Sequence, residues 1–364
     1  MYIKDAISEE TQFYHLPEPF LLESGITLPK VQVAYRTWGS LNDARDNAVL
    51  VCHPLTGSAD ADEWWGPLFG VGQTLDPTRD FIVCTNILGS CNGTTGPTAP
   101  NPETGRPYGP EFPRVTVRDM VSLQVQLLDS MGIDVLRMAI GGSLGGMQVL
   151  ELASLFPERV QTLVSLAASG RHSPWCIGIS ESQRQAIYAD AHWNDGYYTA
   201  EAPPAKGLAA ARSMAMCMYR TWESFEKRFG RDVQGEEGSR FAIASYLQYQ
   251  GESLVRRFDA NSYITLTHAM DSHDLSRGRG EYEQAIAAIE HPTLIVSIPS
   301  DVLYWPEEQK ILARYLPNAV FRELPSIHGH DGFLIDMDPI NTMVADAQEH
   351  WASDIPRPSN LAYL

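Results

Sequence analysis

The sequence predicts an α/β protein: a mostly parallel central sheet flanked by helices, with a long helical insertion before its last strands. Two observations carry this. Short apolar runs alternate with helical patterns from Ala48 to Ala168 and again from Pro292 to Trp351, the rhythm of strand–helix–strand units. Between about Gly170 and Glu290, helical patterns run with almost no strand signal. A single hydrophobic core stops growing at roughly 250–300 residues, so 364 residues also favour a core plus an insertion. The expected division is a first core part over 1–169, a helical cap over 170–290 and a second core part over 291–364.

The elements follow in order. Ala48–His53 (AVLVCH) and Phe81–Leu88 (FIVCTNIL) are continuous apolar runs, read as buried parallel strands. A helix is expected over Val117–Met131, where Met120, Leu123, Leu127 and Met131 recur at helical spacing. Thr116 and Asp119 form a capping-box-like start for it. Leu136–Ile140 is a strand, Leu144–Phe156 a helix closed by Pro157, and Val160–Ala168 a strand. Pro204–Tyr219 and Phe241–Met270 are helical regions of the insertion. Pro292–Ile298 and Ala319–Leu324 then read as strands, Pro306–Tyr315 and Pro339–Trp351 as helices, and the tail from Ala352 as irregular.

Composition narrows the function classes. Apolar residues at 44% and charged residues at 20% are ordinary for a globular chain and argue against disorder. No apolar run reaches the roughly 18 residues of a membrane span, and the start MYIKDAISEET lacks the apolar region of a secretory signal. Cys52, Cys84, Cys91, Cys176 and Cys217 form neither a CxxC pair nor zinc-like spacing. Reduced cysteines in a cytoplasmic protein, with no metal, are expected. A net charge of −18 repels nucleic acid and anionic membranes.

The chemistry-bearing motif is Gly141-Gly142-Ser143-Leu144-Gly145, which fits G-x-S-x-G. It lies between an expected strand and an expected helix, the context of a nucleophile elbow in an α/β-hydrolase fold. Ser143 is then the nucleophile, and the Leu144 N–H one donor to an oxyanion. In this fold the acid and the base follow in that order, each on a loop after a strand. Asp301 follows Pro292–Ile298 and His330 follows Ala319–Leu324, so they are the candidates; Glu307, Glu308 and His328 are rivals. A hydroxyl needs such a base, and the base a carboxylate to fix its tautomer. The second oxyanion donor belongs to the loop His53–Ser58, from Leu55 or Thr56.

Longer stretches are more specific than the elbow. They are CHPLTG (52–57), GSCNGTTGPTAPNPETGRPYGPEFP (89–113), GGSLGGMQ (141–148), SESQRQAI (180–187), GLAAARSMA (207–215), YLQYQGESLVRRFDANSYITLTHAMDSHD (246–274) and GHDGFL (329–334). Together they resemble the homoserine O-acyltransferases of methionine biosynthesis, and the resemblance covers most of the chain. Pro54, where the family often has alanine, and His328 in SIHGHDGF, where a tyrosine or serine more often precedes the Gly-His, depart from the family pattern without touching a reacting group.

The resemblance implies a ping-pong acyltransferase moving an acetyl group from acetyl-CoA, a cosubstrate and not a bound cofactor, to the side-chain hydroxyl of L-homoserine. It implies Arg212 at the α-carboxylate of the amino acid and Asp331 at its α-ammonium. It also implies a homodimer through the cap helices, to which the run Met214–Met218 could contribute unless it packs inside the cap. Arg106, Arg220, Lys227 and Arg228 are candidates for a basic rim that meets CoA, but nothing in their spacing selects them, and a solvated face is the plainer reading for most of these charges. Succinyl transfer, serine as acceptor, and an esterase or thioesterase using water stay open as alternatives. One methylene between serine and homoserine is worth only about 1–3 kcal/mol.

Overall fold

The computed structural model describes residues 7–234 and 240–354. Eight strands build one sheet: β1 (Gln12–His15), β2 (Gln32–Trp38), β3 (Ala48–Cys52), β4 (Phe81–Thr85), β5 (Leu136–Gly142), β6 (Val160–Leu166), β7 (Thr293–Ser297) and β8 (Ala319–Glu323). Their spatial order is β1-β2-β4-β3-β5-β6-β7-β8. Every pair from β4 onward is parallel, while β2 pairs antiparallel with both β1 and β4. The central strands are apolar because helices cover both faces; all five residues of β3 and of β7 are buried.

The helices of the core are α1 (Val117–Ser130), α2 (Leu144–Leu155), α9 (Pro306–Tyr315) and α10 (Asp338–Asp354). Between β6 and β7 lie α3 (Pro174–Tyr188), α4 (Ala205–Tyr219), α5 (Trp222–Phe229), α6 (Ala242–Arg257), α7 (Ala260–Asp271) and α8 (Tyr282–Ala287). Of these, α4 packs on both α3 and α6, and α3 also on α7. The interval is mostly helical, and its buried side chains, among them Leu208, Tyr263 and Leu266, join the same apolar cluster as those of α1 and α2. Among the described residues, no helix is long and apolar enough to cross a membrane.

The capping box of α1 is complete. Thr116 Oγ1 accepts from the Asp119 N–H at 3.2 Å, and Asp119 Oδ2 accepts from the Thr116 N–H at 2.8 Å. Thr116→Ala removes one arm of this box, and the expected cost is about 1 kcal/mol of unfolding free energy. Urea denaturation checks this: a midpoint shift at constant m is expected, and an unmoved midpoint would show that Asp119 caps the helix alone.

The structure departs from the sequence reading at several element ends. The run Phe81–Leu88 is a strand only to Thr85, because Asn86 turns the chain: its carbonyl accepts from Thr94 Oγ1 at 2.6 Å. Phe241–Met270 is two helices. Phe258 is extended at φ −137°, and Asp259 caps α7 by accepting from the Ser262 N–H at 2.8 Å. The last helix runs to Asp354, into the stretch expected to be irregular; the rest of that tail lies outside the described residues. Strands β1 and β2 have no counterpart in the sequence reading. Their burial is mixed along the strand, so neither forms a continuous apolar run.

Candidate active site

Ser143 sits in the turn between β5 and α2, at φ 57° and ψ −124°. A non-glycine residue rarely holds a positive φ, and the surroundings must enforce it. Here the Ser143 N–H donates to the Leu166 carbonyl at 2.9 Å, and the Ser143 carbonyl accepts from the Met147 N–H at 3.1 Å. The flanking glycines are set by close approach. A Cβ on Gly145 would lie 2.0 Å from the Cys52 carbonyl oxygen, and one on Gly141 would lie 2.4 Å from the Gly145 backbone. Only hydrogens fit where α2 starts against β3, so the serine is lifted off the end of the sheet.

His330 lies in a one-turn 3-10 segment, Gly329–Asp331, after β8. Its Nε2 is 2.9 Å from Ser143 Oγ, and its Nδ1 is 2.7 Å from Asp301 Oδ2. Asp301, 1% exposed, also accepts through Oδ1 from the N–H groups of Leu303 (2.8 Å) and Tyr304 (3.0 Å). The carboxylate is therefore fixed at both oxygens. With Nδ1–H donated to Asp301, Nε2 is left to accept the serine proton. The rings of Tyr304, Phe333 and Tyr219 surround His330 at centroid distances of 5.2, 5.5 and 5.6 Å. The rivals stand elsewhere. Glu307 pairs with Lys310 at 3.4 Å, and His328 Nδ1 lies 3.0 Å from both Arg220 Nη2 and Ser224 Oγ. Burial pushes the Glu308 carboxyl up, against hydrogen bonds from Ser169 and Ser173.

The loop after β3 is held by His53. The Ile87 N–H donates to its Nε2 at 3.2 Å, which leaves Nδ1–H to donate to the Pro54 carbonyl at 2.8 Å. Full burial drives its pKa down to about 4, so the ring is neutral near pH 7. The Gly57 N–H is taken by the Pro54 carbonyl. Among the described residues, the N–H groups of Leu55, Thr56 and Leu144 have no hydrogen-bond acceptor. These three are the expected oxyanion donors, and all remain available. Arg257, at the end of α6, donates to the Thr56 carbonyl at 2.6 Å. Its burial, with Arg212 nearby, lowers its pKa to about 10.

Arg212, on α4, is half-buried and lies 5.5 Å over the Tyr219 ring. Asp331 follows His330 directly, and its side chain is 17% exposed. Burial pushes its carboxyl above the ordinary aspartate value, opposed first by the attraction of Arg212 and then by His330 and Arg220. Arg212 and Asp331 sense each other, yet Arg212 has no ion pair within 4 Å among the described residues. A cation and an anion held apart, the anion next in the chain to the catalytic base, can take the carboxylate and ammonium of one zwitterion between them. Arg220 Nη1 stands 3.9 Å from Asp331 Oδ2.

Three residues at the site went unassigned in the sequence reading. Tyr219 is seven residues, two helical turns, after Arg212 on α4, so helical spacing could have placed them on one face. Arg257 stands inside the quoted segment 246–274, but nothing in its spacing singled it out. Tyr304 is visible only in the fold. Of the four cations proposed for a basic rim, Arg106 is exposed on a cavity of about 880 Å³ that contains no triad residue. Arg220, Lys227 and Arg228 line another pocket, of about 370 Å³. The methionine run divides: Met216 is buried in the cap, and Met214 is exposed. Among the described residues, no group of three or more His, Cys, Asp or Glu side chains could hold a metal ion.

Comparison with known proteins adds the family. The family model for the α/β hydrolase fold matches residues 47–336. The homoserine O-acetyltransferase of Nostoc punctiforme is 58% identical over 354 residues, which is 96% of this chain and 99% of that protein. That of Chloroherpeton thalassium is 58% identical over 96% of this chain and 92% of its own length. Among solved structures, an esterase superposes with a TM-score of 0.85 at 28% identity, covering 93% of this chain and 99% of its own. A homoserine O-acetyltransferase from Bacillus anthracis gives 0.85 at 26%, covering 93% and 98%. Backbone similarity alone therefore does not separate transfer from hydrolysis.

Proposed function

Because the chain belongs to the homoserine O-acetyltransferases, acyltransferase enzymes of the α/β-hydrolase fold, we propose that it moves an acetyl group from acetyl-CoA to L-homoserine through a serine-bound acyl intermediate, in methionine biosynthesis in the cytoplasm. The observation that carries the mechanism is the hydrogen-bonded series Ser143–His330–Asp301, with Asp331 one residue from the base. His330 Nε2 takes the Ser143 proton as Oγ bonds to the thioester carbonyl carbon. The charge that forms on the oxygen meets the N–H groups of Leu144 and of the Leu55–Thr56 loop. The C–S bond then breaks, and the departing thiolate takes the proton from the imidazolium. Homoserine enters with its carboxylate at Arg212 and its ammonium at Asp331. Its hydroxyl gives its proton to His330 and attacks the acyl carbon, and Ser143 Oγ leaves with the returned proton. No metal is called for.

The triad is nearly out of water: Ser143 and His330 are 5% and 4% exposed. Exclusion of water under the cap over 170–290 favours the bound hydroxyl over hydrolysis. Pairing of two copies through the cap helices belongs to the same reading, supported by the exposed Met214 on α4 and Tyr249 on α6. The test is release of free CoA thiol from acetyl-CoA or succinyl-CoA, each with and without homoserine or serine. Release from acetyl-CoA that depends on homoserine is expected. A preference for succinyl-CoA or for serine would keep the chemistry and replace that substrate. Equal release with and without an acceptor would make the chain a thioesterase.

A further inference from the structure

A chain with a net charge of −18 must meet a polyanionic donor through local cations. The pocket of about 370 Å³ beside the catalytic loop is where such cations converge. Its floor carries Arg220, Ser224 and His328, and its rim Lys227 and Arg228 from the last turn of α5. His328 is two residues from the base, so the floor of this pocket and the triad share one loop. Three features make it a built site. Arg220 is 8% exposed and rigidly held, its Nε and Nη2 donating to Ser224 Oγ at 3.2 and 2.6 Å. Since Arg220 Nη2 also donates to His328 Nδ1 at 3.0 Å, that nitrogen carries no proton, and the tautomer is fixed with Nε2–H as donor. Arg228 is preset over the rings of Tyr246 (4.8 Å) and Phe229 (5.1 Å).

The rim cations are not spent in ion pairs. Lys227 and Arg228 are exposed and make no ion pair among the described residues, although Glu223 and Glu226 share their helix. Arg220 forms a long ion pair with Asp331 at 3.9 Å, which ties the floor to the acceptor site. The pocket is also joined to the acceptor site. Burial raises the Tyr246 pKa, and Arg220, Asp331, Arg228 and Arg212 all act on that one phenol. We propose that this pocket is the phosphate-docking site for the donor, taking a phosphate or diphosphate of its nucleotide end between Lys227, Arg228 and the Arg220–Ser224–His328 floor. The assignment rests on the acyl-CoA reading above. It would give the enzyme a grip on the carrier that acts on the donor half of the reaction and not on homoserine.

The experiment compares KM for acetyl-CoA with KM for S-acetyl-pantetheine, which has the thioester arm and no phosphate, in wild type, Lys227→Glu and Arg228→Glu. Lys310→Glu, an exposed change on α9, controls for net charge. A charge-assisted contact replaced by repulsion is expected to raise KM for acetyl-CoA about tenfold or more relative to KM for the phosphate-free donor. That excess should shrink at high salt, and Lys310→Glu should leave the ratio within about twofold. An unmoved ratio in both pocket variants of an enzyme that uses acetyl-CoA overturns the site alone. A wild type that transfers from S-acetyl-pantetheine as well as from acetyl-CoA, or from neither, overturns the site together with the CoA assignment.

Discussion

Ser143→Ala is expected to lower homoserine-dependent thiol release by about 10⁴-fold or more, with no burst in the first turnover. The magnitude follows from the geometry. Ser143 Oγ lies 2.9 Å from Nε2 of His330, and without it the serine-bound acyl intermediate cannot form. The remaining N–H donors can still polarise a carbonyl, which keeps the residue above uncatalysed background. Removing Asp301 as an acceptor should be almost as severe. In Asp301→Asn the side chain can donate toward Nδ1, which favours the tautomer with its proton on Nε2, and a loss of about 10⁴-fold is the expectation for that error. The two variants differ in one readout. Asp301→Asn retains the nucleophile and should form acyl-enzyme slowly, whereas Ser143→Ala should form none by intact-mass measurement. Turnover in Ser143→Ala within about a hundredfold of wild type would mean direct transfer between donor and acceptor, and would end the ping-pong reading.

The positions of Ser143, Asp301 and His330 were legible because each has a local signal: the small-residue elbow, and an acid and a base in the expected order on loops after strands, with Glu307, Glu308 and His328 as near rivals. The fold was legible where strands are buried on both faces, as at β3 and β7, since burial on both sides writes a continuous apolar run. It was not legible at β1 and β2, where mixed burial breaks the run. Nor could helical periodicity reveal the break at Phe258–Asp259, because Phe258 closes one helix and Asp259 caps the next within a single apolar pattern. The site's second layer was hidden for a different reason. Tyr304 reaches His330 and Arg257 reaches Thr56 across more than 25 and 200 residues of sequence, and nothing local marks a side chain that acts at such range. Arg220 was visible as a charge, but its partners Ser224, His328 and Asp331 come from two separated segments.

Arg212→Ala is expected to separate the two half-reactions. Truncating one member of a desolvated charge pair typically costs about 2–5 kcal/mol, which is on the order of 10²-fold or more in kcat/KM for homoserine. The donor half needs only Ser143, His330, Asp301 and the oxyanion N–H groups, so the single-turnover thiol burst should stay within a few fold of wild type. Steady-state release without homoserine should then approach release with it, as water replaces the lost acceptor. Asp331→Asn should act on the same half, with a pH signature that Arg212→Ala lacks. Burial holds the Asp331 carboxyl above the ordinary aspartate value, so on lowering the pH it protonates earlier than a solvated aspartate would. Below that point the ammonium of homoserine loses its counter-charge, and kcat/KM for homoserine should fall; above it, the full anion is present. Asp331→Asn should remove this acidic limb for homoserine and leave the pH profile of the donor burst in place. A burst that collapses along with acceptor use in Arg212→Ala would instead assign the guanidinium to the donor, and the zwitterion site between Arg212 and Asp331 would have to be given up.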